Sequence, residues 1–269
     1  MNDGFFNGLF VVNIELTSRC QKKCFMCGRR RIERERPDLA VWGDIDISLV
    51  AKIAKQLPPD IVVVLHNNGE PTLYPELGKV ISLFRNQMTQ FNTNANLIVK
   101  KADEIINNLD ILTISVIEQD EEANKQYETV KQFLKIKKDK KPLMVYRLLG
   151  NVSDSERWHS LEGTHCTRVL HSPLGSVDYK KKKPTVPEIG LCLDLMTHLS
   201  IDRFGFVSPC VRYDPLGELR LGNLSDHSLF DLWNSKKRID MIKKFAEGKR
   251  KEISFCGNKC EFWGVPIGN

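Results

Sequence analysis

The chain has 269 residues, 41% of them hydrophobic and 28% charged, and a formal net charge of +6. That suits one large domain, or a medium one with a small companion, with a full core. No run approaches the ~20 apolar residues that cross a bilayer, and the modest charge does not argue for nucleic acid. The opening Met1-Asn2-Asp3-Gly4 lacks the basic region and apolar core of a secretion signal, so a cytoplasmic location is expected.

Phe10–Leu16 reads as a first strand, and Cys20, Cys24 and Cys27 follow it directly. Ser48 is the expected N-cap of a helix through Leu57, with Leu49, Val50, Ile53 and Ala54 at helical spacing. Ile61–Leu65 is an unbroken apolar run, as in a strand buried on both faces of a parallel sheet. His66-Asn67-Asn68-Gly69-Glu70-Pro71-Thr72 comes after it. Pro75–Asn86 is expected to be helical, Thr89–Thr93 a strand ending at Asn94, and Leu97–Asn107 helical. Ile111–Ile117 is a strand containing Ser115. Glu121–Lys138 is an amphipathic helix with Tyr127, Val130, Phe133 and Leu134 on its apolar face. Leu143–Leu148 is a fifth strand containing Arg147, and Thr167–His171 a weaker sixth. Alternating strands and helices imply right-handed crossovers and a parallel sheet. The pattern breaks near Lys180, and four more cysteines lie beyond it.

Cys20-x3-Cys24-x2-Cys27 packs three thiols into eight residues. Three thiolates hold three corners of a [4Fe–4S] cluster and leave one iron open to a small molecule. A zinc site would want a fourth ligand close by, and the nearest histidine is His66. A disulfide would leave an odd thiol in this segment. Arg29-Arg30-Arg31 follows the motif and could either face the site or be a solvated run, whereas Lys180–Lys183 reads as a solvated loop.

The spacing and its place after the first strand resemble the signature of radical S-adenosylmethionine (radical SAM) enzymes. Met26 stands where many members carry an aromatic residue. The resemblance implies that S-adenosylmethionine chelates the open iron and is cleaved to a 5′-deoxyadenosyl radical. It also implies a partial, open (β/α)6 TIM-like barrel with its chemistry at the C-terminal strand ends. Asn68-Gly69-Glu70-Pro71 resembles the family's Gly-Gly-Glu-Pro segment, with Asn68 in the first glycine's place. Glu70 is then the expected partner of the methionyl ammonium, with Asn68 and Gly69 lining the turn. Thr93-Asn94 resembles the family's Thr-Asn-Gly segment, with Ala95 in the glycine position. Ser115 matches a serine contacting ribose or carboxylate. Arg147 matches an arginine pairing with the methionyl carboxylate, which a guanidinium grips through two hydrogen bonds. Arg147, His66 and His171 are the candidates for substrate contact or base. Cys166 fits neither cysteine set and reads as a buried thiol.

Cys192-x17-Cys210 and Cys256-x3-Cys260 make a second set, with an expected hairpin turned at Arg203–Gly205 between the first two. Leu221-Gly222-Asn223-Leu224 and a helix containing Trp233 follow. This stretch resembles the SPASM/twitch extension of radical SAM enzymes. Four cysteines fit the short twitch form, with one fully ligated auxiliary [4Fe–4S] cluster. A four-thiolate zinc site is the other reading of the same residues.

The expected division is a radical SAM barrel over 1–185 and a small C-terminal iron–sulfur twitch module over 186–269. The expected cofactors are two [4Fe–4S] clusters and S-adenosylmethionine. The overall layout is most like compact radical SAM dehydrogenases that oxidise a cyclitol. The expected activity is therefore a two-electron oxidation of a small polar substrate such as a sugar or cyclitol. A flavodoxin- or ferredoxin-type electron donor would serve it. One alternative is epimerisation or crosslinking of a ribosomally made peptide; another is a non-enzymatic iron–sulfur or zinc protein.

Overall fold

The computed structural model describes residues 6–168, 192–210, 214, 216–258 and 260. His171 and Lys180–Lys183 lie outside the described residues. The chain forms two compact units: Met1–Asn13, Phe25–Val41 and His171–Asn269 in the first, Ile14–Cys24 and Trp42–Leu170 in the second. Strand β1 (Val11–Ile14) opens the chain, and helix α1 (Gly28–Glu35) follows the cysteine motif. In α1, Arg30 pairs with Glu33 and Arg31 with Glu35, both at 2.6 Å, and Arg29 is buried.

The second unit is a parallel α/β layer, as expected. After α2 (Ile47–Ala54) come β2 (Val62–Val64), α3 (Leu77–Leu83) and β3 (Met88–Thr93). Then follow α4 (Ala102–Ile105), β4 (Ile111–Ile117), α5 (Ala123–Lys137), β5 (Leu143–Leu149), α6 (Ser155–His159) and β6 (Thr164–Arg168). Strands β2 to β6 pair in chain order, each parallel to the next. The cap of α2 is Asp46, which accepts from Ser48 N, and not Ser48 itself. The helix therefore starts two residues earlier than expected, and the Asp46 carboxylate takes up a free N–H group of its first turn.

The last strand corrects the expected Thr167–His171: β6 starts three residues earlier. Its residues carry no apolar run, and pairing to β5 sets its position, with Arg147 opposite Cys166. Strand alternation puts Thr113, Ser115 and Ile117 on one face of β4 and Leu112, Ile114 and Val116 on the other. The second face is apolar and fully buried. On β5 the corresponding residues are Met144, Tyr146 and Leu148. Trp158 of α6, also fully buried, meets Tyr127 edge to face at 5.2 Å and Tyr146 at 6.0 Å. The first face holds a polar row, Ser115, Arg147 and Cys166, in register across β4, β5 and β6.

The first unit is organised by a meander of β7 (His198–Ile201), β8 (Phe206–Ser208) and β9 (Gly222–Asn223), which follows helix α7 (Leu193–Thr197). Its hairpin is the expected one. Gly205 takes φ +84°, and Asp202 Oδ1 accepts from Phe204 N and Phe206 N at 2.9 and 3.0 Å. Helix α8 (Leu229–Trp233) starts on a Ser228/Asp231 capping box, and α9 (Lys236–Ala246) on Ser235. The last helix, α10, spans Ser254–Asn258.

The chain start belongs with this unit. Trp233 Nε1 donates to Asn7 O at 3.2 Å, and Phe10 N donates to Thr197 O at 2.9 Å. Phe6 packs edge to face on Phe230, and Arg203 Nη2 donates to Val41 O at 2.8 Å. The observed units therefore cut the chain differently from 1–185 and 186–269.

Trp158→Ala removes the ring that Tyr127 and Tyr146 pack against and leaves a large cavity. The expected loss is about 3–5 kcal/mol. A melting curve checks it: a Tm within a degree of wild type would show that the layer does not depend on this ring.

Candidate functional site

The segment entering the cysteine motif is pinned before the first cysteine. Ser18 N donates to Gly43 O at 2.9 Å, and Gly43 N donates back to Ser18 Oγ at 3.0 Å. Arg19 grips Asp44 with both Nε and Nη2, at 3.0 and 2.5 Å. Between Cys20 and Cys24, Lys22 is buried to 7% side-chain exposure and reaches Asp120 Oδ2 at 2.5 Å. Removing either partner would strand a buried charge. Cys20 and Cys24 belong to the second unit, and Cys27 caps α1 in the first. Burial pushes the Cys27 thiol up, while the Arg29 backbone and the charges of Arg29 and Arg30 pull it down.

The loop after β2 presses directly on this segment. A Cβ on Gly69 would stand 1.8 Å from Thr17 O, so only glycine fits. Glu70 N donates to Arg19 O at 2.8 Å. The Glu70 carboxylate, in a residue only 2% exposed, has four donors. Oε1 accepts from Thr72 N (3.1 Å), Thr72 Oγ1 (2.7 Å) and Thr93 Oγ1 (2.7 Å); Oε2 accepts from Asn94 N (2.8 Å). Burial raises its pKa, and these donors oppose the rise. These four bonds tie the β2 loop to the end of β3.

Asn94, just after β3, points its side-chain Nδ2 at Cys20 Sγ, 3.8 Å away. Its carbonyl accepts from Gln126 Nε2 at 3.0 Å, and the same nitrogen donates to Ser115 O at 2.9 Å. Gln126 was missed from sequence, although a signal existed. It falls on the stripe of Val130 and Phe133, where a polar residue at a core position implies a buried polar partner.

His66 and Arg147 come together. Burial, and next the Arg147 guanidinium, push the half-buried His66 imidazole down to about 4. His66 is therefore neutral near pH 7. Asn92 Nδ2 lies 3.5 Å from His66 Nδ1, an association that sequence reading also missed. Asn92 Oδ1 and Arg147 Nε are buried without a hydrogen-bond partner. Ser115 stands beside Arg147 on the neighbouring strand. Asn68 and Gly69 are half-buried in the loop that carries Glu70.

The C-terminal cysteines converge within the first unit. Cys256 is part of a buried cluster with Leu195, Leu219, Met241, Phe245 and Phe255, and Cys192 and Cys210 pack against it. Burial pushes the Cys256 thiol up to about 12, and the nearby Cys260 and Cys192 add to the rise. Burial raises Cys192 as well, with Cys260 contributing. None of the eight cysteines is joined in a disulfide. Crowded, desolvated thiolates need a positive centre, and soft sulfur donors suit iron–sulfur groups. Among the described residues, no three His, Cys, Asp or Glu side chains gather as around a single metal ion.

Comparison with known proteins fits these sites. Residues 192–261, which include all four C-terminal cysteines, match SPASM, an iron-sulfur cluster-binding domain. The chain is 25% identical over 252 residues to the S-adenosyl-L-methionine-dependent 2-deoxy-scyllo-inosamine dehydrogenase of Niallia circulans, covering 92% of this chain and 91% of that one. The structure of BtrN in complex with AdoMet and 2-DOIA aligns with a TM-score of 0.57 and 16% identity, covering 93% and 92% of the two chains. Native anSMEcpe with bound AdoMet and a peptide aligns with a TM-score of 0.64 and 14% identity, covering 97% and 91%. At these identities the solved structures show a shared fold. Together the matches bear out the radical SAM layout with a SPASM/twitch module. The cofactors they imply are S-adenosylmethionine and two [4Fe–4S] clusters. No described helix is long and apolar enough to cross a membrane.

Two outcomes follow for this network. Glu70→Ala leaves four buried donors unpaired, so the protein should lose about 3 kcal/mol or more. Thermal melting reads this, and an unchanged Tm would mean that water replaces the carboxylate. For His66, the folded state disfavours the charged imidazole. Above pH 6.5 the histidine is neutral in both folded and unfolded chains and adds no pH dependence. From pH 6.5 down to about 4 the unfolded chain takes the proton first, so the folded state loses ground. The Tm of wild type should fall relative to His66→Gln across this window. Parallel Tm curves would show a solvated imidazole.

Proposed function

We propose that this chain is a radical SAM oxidoreductase that removes two electrons from a small polar substrate such as a sugar or cyclitol. The observation that carries the reading is the gathering of Cys192, Cys210 and Cys256 about one core with Cys260 beside them. Four ligands would close the second cluster and reserve it for electron transfer. Cys20, Cys24 and Cys27 would hold the first, leaving its fourth iron for S-adenosylmethionine. When bound, these groups supply a carbon-centred radical able to take a hydrogen atom from an unactivated C–H bond.

The chain's own residues hold and orient. Glu70 would meet the methionyl ammonium, with Asn68 and Gly69 lining the turn that carries it. Ser115 and Arg147, side by side on β4 and β5, would bind the carboxylate or ribose. Arg147, His66 and Asn92 offer hydrogen-bonding groups to the substrate. The lone pair of a neutral His66 can accept a substrate hydroxyl proton, although at about 4 the imidazole is a weak base. His171 remains a candidate outside the described residues. The apolar outer face of the sheet helps exclude water from the polar inner row. The barrel is assigned to residues 1–185 and the auxiliary module to 186–269. A cytoplasmic location and a flavodoxin- or ferredoxin-type donor belong to the same proposal.

The likeness to a structure containing a bound peptide favours a second reading, radical modification of a peptide. The experiment is anaerobic reconstitution followed by incubation with S-adenosylmethionine and reductant. About eight irons per chain are expected, and 5′-deoxyadenosine should form. Replacing Cys20, Cys24 and Cys27 together by Ala should halve the iron and abolish that product. Stoichiometric zinc with little iron would overturn the reading. With 2-deoxy-scyllo-inosamine-like cyclitols as substrates, oxidation should exceed the reducing equivalents supplied. A strict need for one reducing electron per product would favour the peptide-type reaction.

A further inference from the structure

The turn after β3 makes an unusual contact with the cluster motif. Asn94 is held from several sides. Its backbone N donates to Glu70 Oε2 at 2.8 Å, and its carbonyl accepts from the buried Gln126 at 3.0 Å. Its side-chain Oδ1 accepts from Asn96 N at 3.0 Å and from Gln21 Nε2 at 3.2 Å. A backbone N–H can only donate, so the Asn96 contact fixes which end of the amide is oxygen. The other end, Nδ2, must then face the Cys20 sulfur, at 3.8 Å. The next residue, Ala95, sits at φ +67°, a conformation costly for any residue with a Cβ. Ala95 N donates to Thr93 Oγ1 at 3.0 Å, so the same Glu70–Thr93 network holds the strained turn in place. Strain kept by a dense set of hydrogen bonds points to a position that must be maintained.

We propose that Asn94 is a positioning residue that donates an N–H···S hydrogen bond to the Cys20 thiolate and thereby sets the reduction potential of the first cluster. This rests on the reading of Cys20 as a cluster ligand. The step concerned is one-electron reduction of the cluster by an external reductant, with no bond made or broken. The reduced cluster carries more negative charge on its sulfurs, so a donor there stabilises the reduced state more than the oxidised one. Asn94 therefore raises the potential, and its loss lowers it. Gln21 and Asn96 hold the amide, and Glu70 holds the backbone, so the donor is preorganised rather than recruited when the cluster is reduced.

The test is an EPR-monitored redox titration of the reconstituted holoprotein with dithionite. The first cluster is identified as the signal that changes when S-adenosylmethionine is added, since only an open iron responds. Asn94→Asp keeps an oxygen for Asn96 N, and Asn94→Ala removes the amide without adding a charge; neither offers the sulfur a hydrogen-bond donor. Each should retain full iron content. Each should shift the reduced-to-oxidised ratio at fixed potential about tenfold toward oxidised, which is 59 mV for a one-electron couple. An unchanged potential in either fully loaded variant overturns the proposal. Should both variants lose iron, wild-type protein carrying isotope-labelled asparagine decides. Pulsed EPR should then show an asparagine nitrogen coupled to the first cluster, and its absence overturns the proposal. Wild-type protein without a cluster that responds to S-adenosylmethionine would instead remove the functional reading beneath it.

Discussion

A carboxylate withdrawn from water loses its solvation and must find donors to replace it. Glu70 finds four, from Thr72, Thr93 and Asn94. These donors lie on two segments, the turn after β2 and the end of β3. The carboxylate makes those segments one body. Gly69 adds a third by letting the backbone approach Thr17 so closely that no side chain fits between. Everything at the cofactor end of this unit, including the direction of Asn94 and the entry to Cys20, inherits that rigidity. The support is polar rather than apolar. Partial satisfaction would be worse than none, because each unpaired buried group costs free energy.

The sheet divides its labour by face. Apolar residues at alternate positions of β4 and β5 bury against the helical layer, where the tilted rings of Trp158 and Tyr146 pack together. The opposite positions carry Ser115, Arg147 and Cys166 in register. Burial keeps His66 neutral, and Arg147 lies near enough to add to this, although β3 and β4 separate their strands. A guanidinium beside a neutral imidazole offers both a donor and an acceptor to a polyhydroxylated ligand, without two positive charges repelling each other.

The C-terminal thiols solve a different problem. They are built into an apolar core rather than a polar network, so burial and mutual repulsion both resist their ionisation. Arg238 stiffens the surrounding shell. Its guanidinium lies over Trp233 and donates to the carbonyls of Leu195, Met196 and Trp233. That arrangement fixes α7, and so Cys192 at its N-terminus, without placing a charge among the sulfurs.

The sequence by itself determined the elements whose pattern is local. The strand pattern of Ile111–Ile117, the hairpin at Arg203–Gly205 and the cysteine spacings are complete within a few residues, and all could be read before any fold was known. Strand β6 could not, because Thr164–Arg168 carries no apolar signal and only pairing to β5 sets its register. The roles of polar residues were also invisible. Glu70 and Asn94 were singled out as candidates by resemblance, but their partners come from other strands and from the cysteine motif. The same holds for the chain start, which joins the C-terminal region through Trp233 and Asn7. Periodicity records which side of an element is buried. It carries no information about which distant donor will meet a buried acceptor, and that choice belongs to the tertiary structure alone.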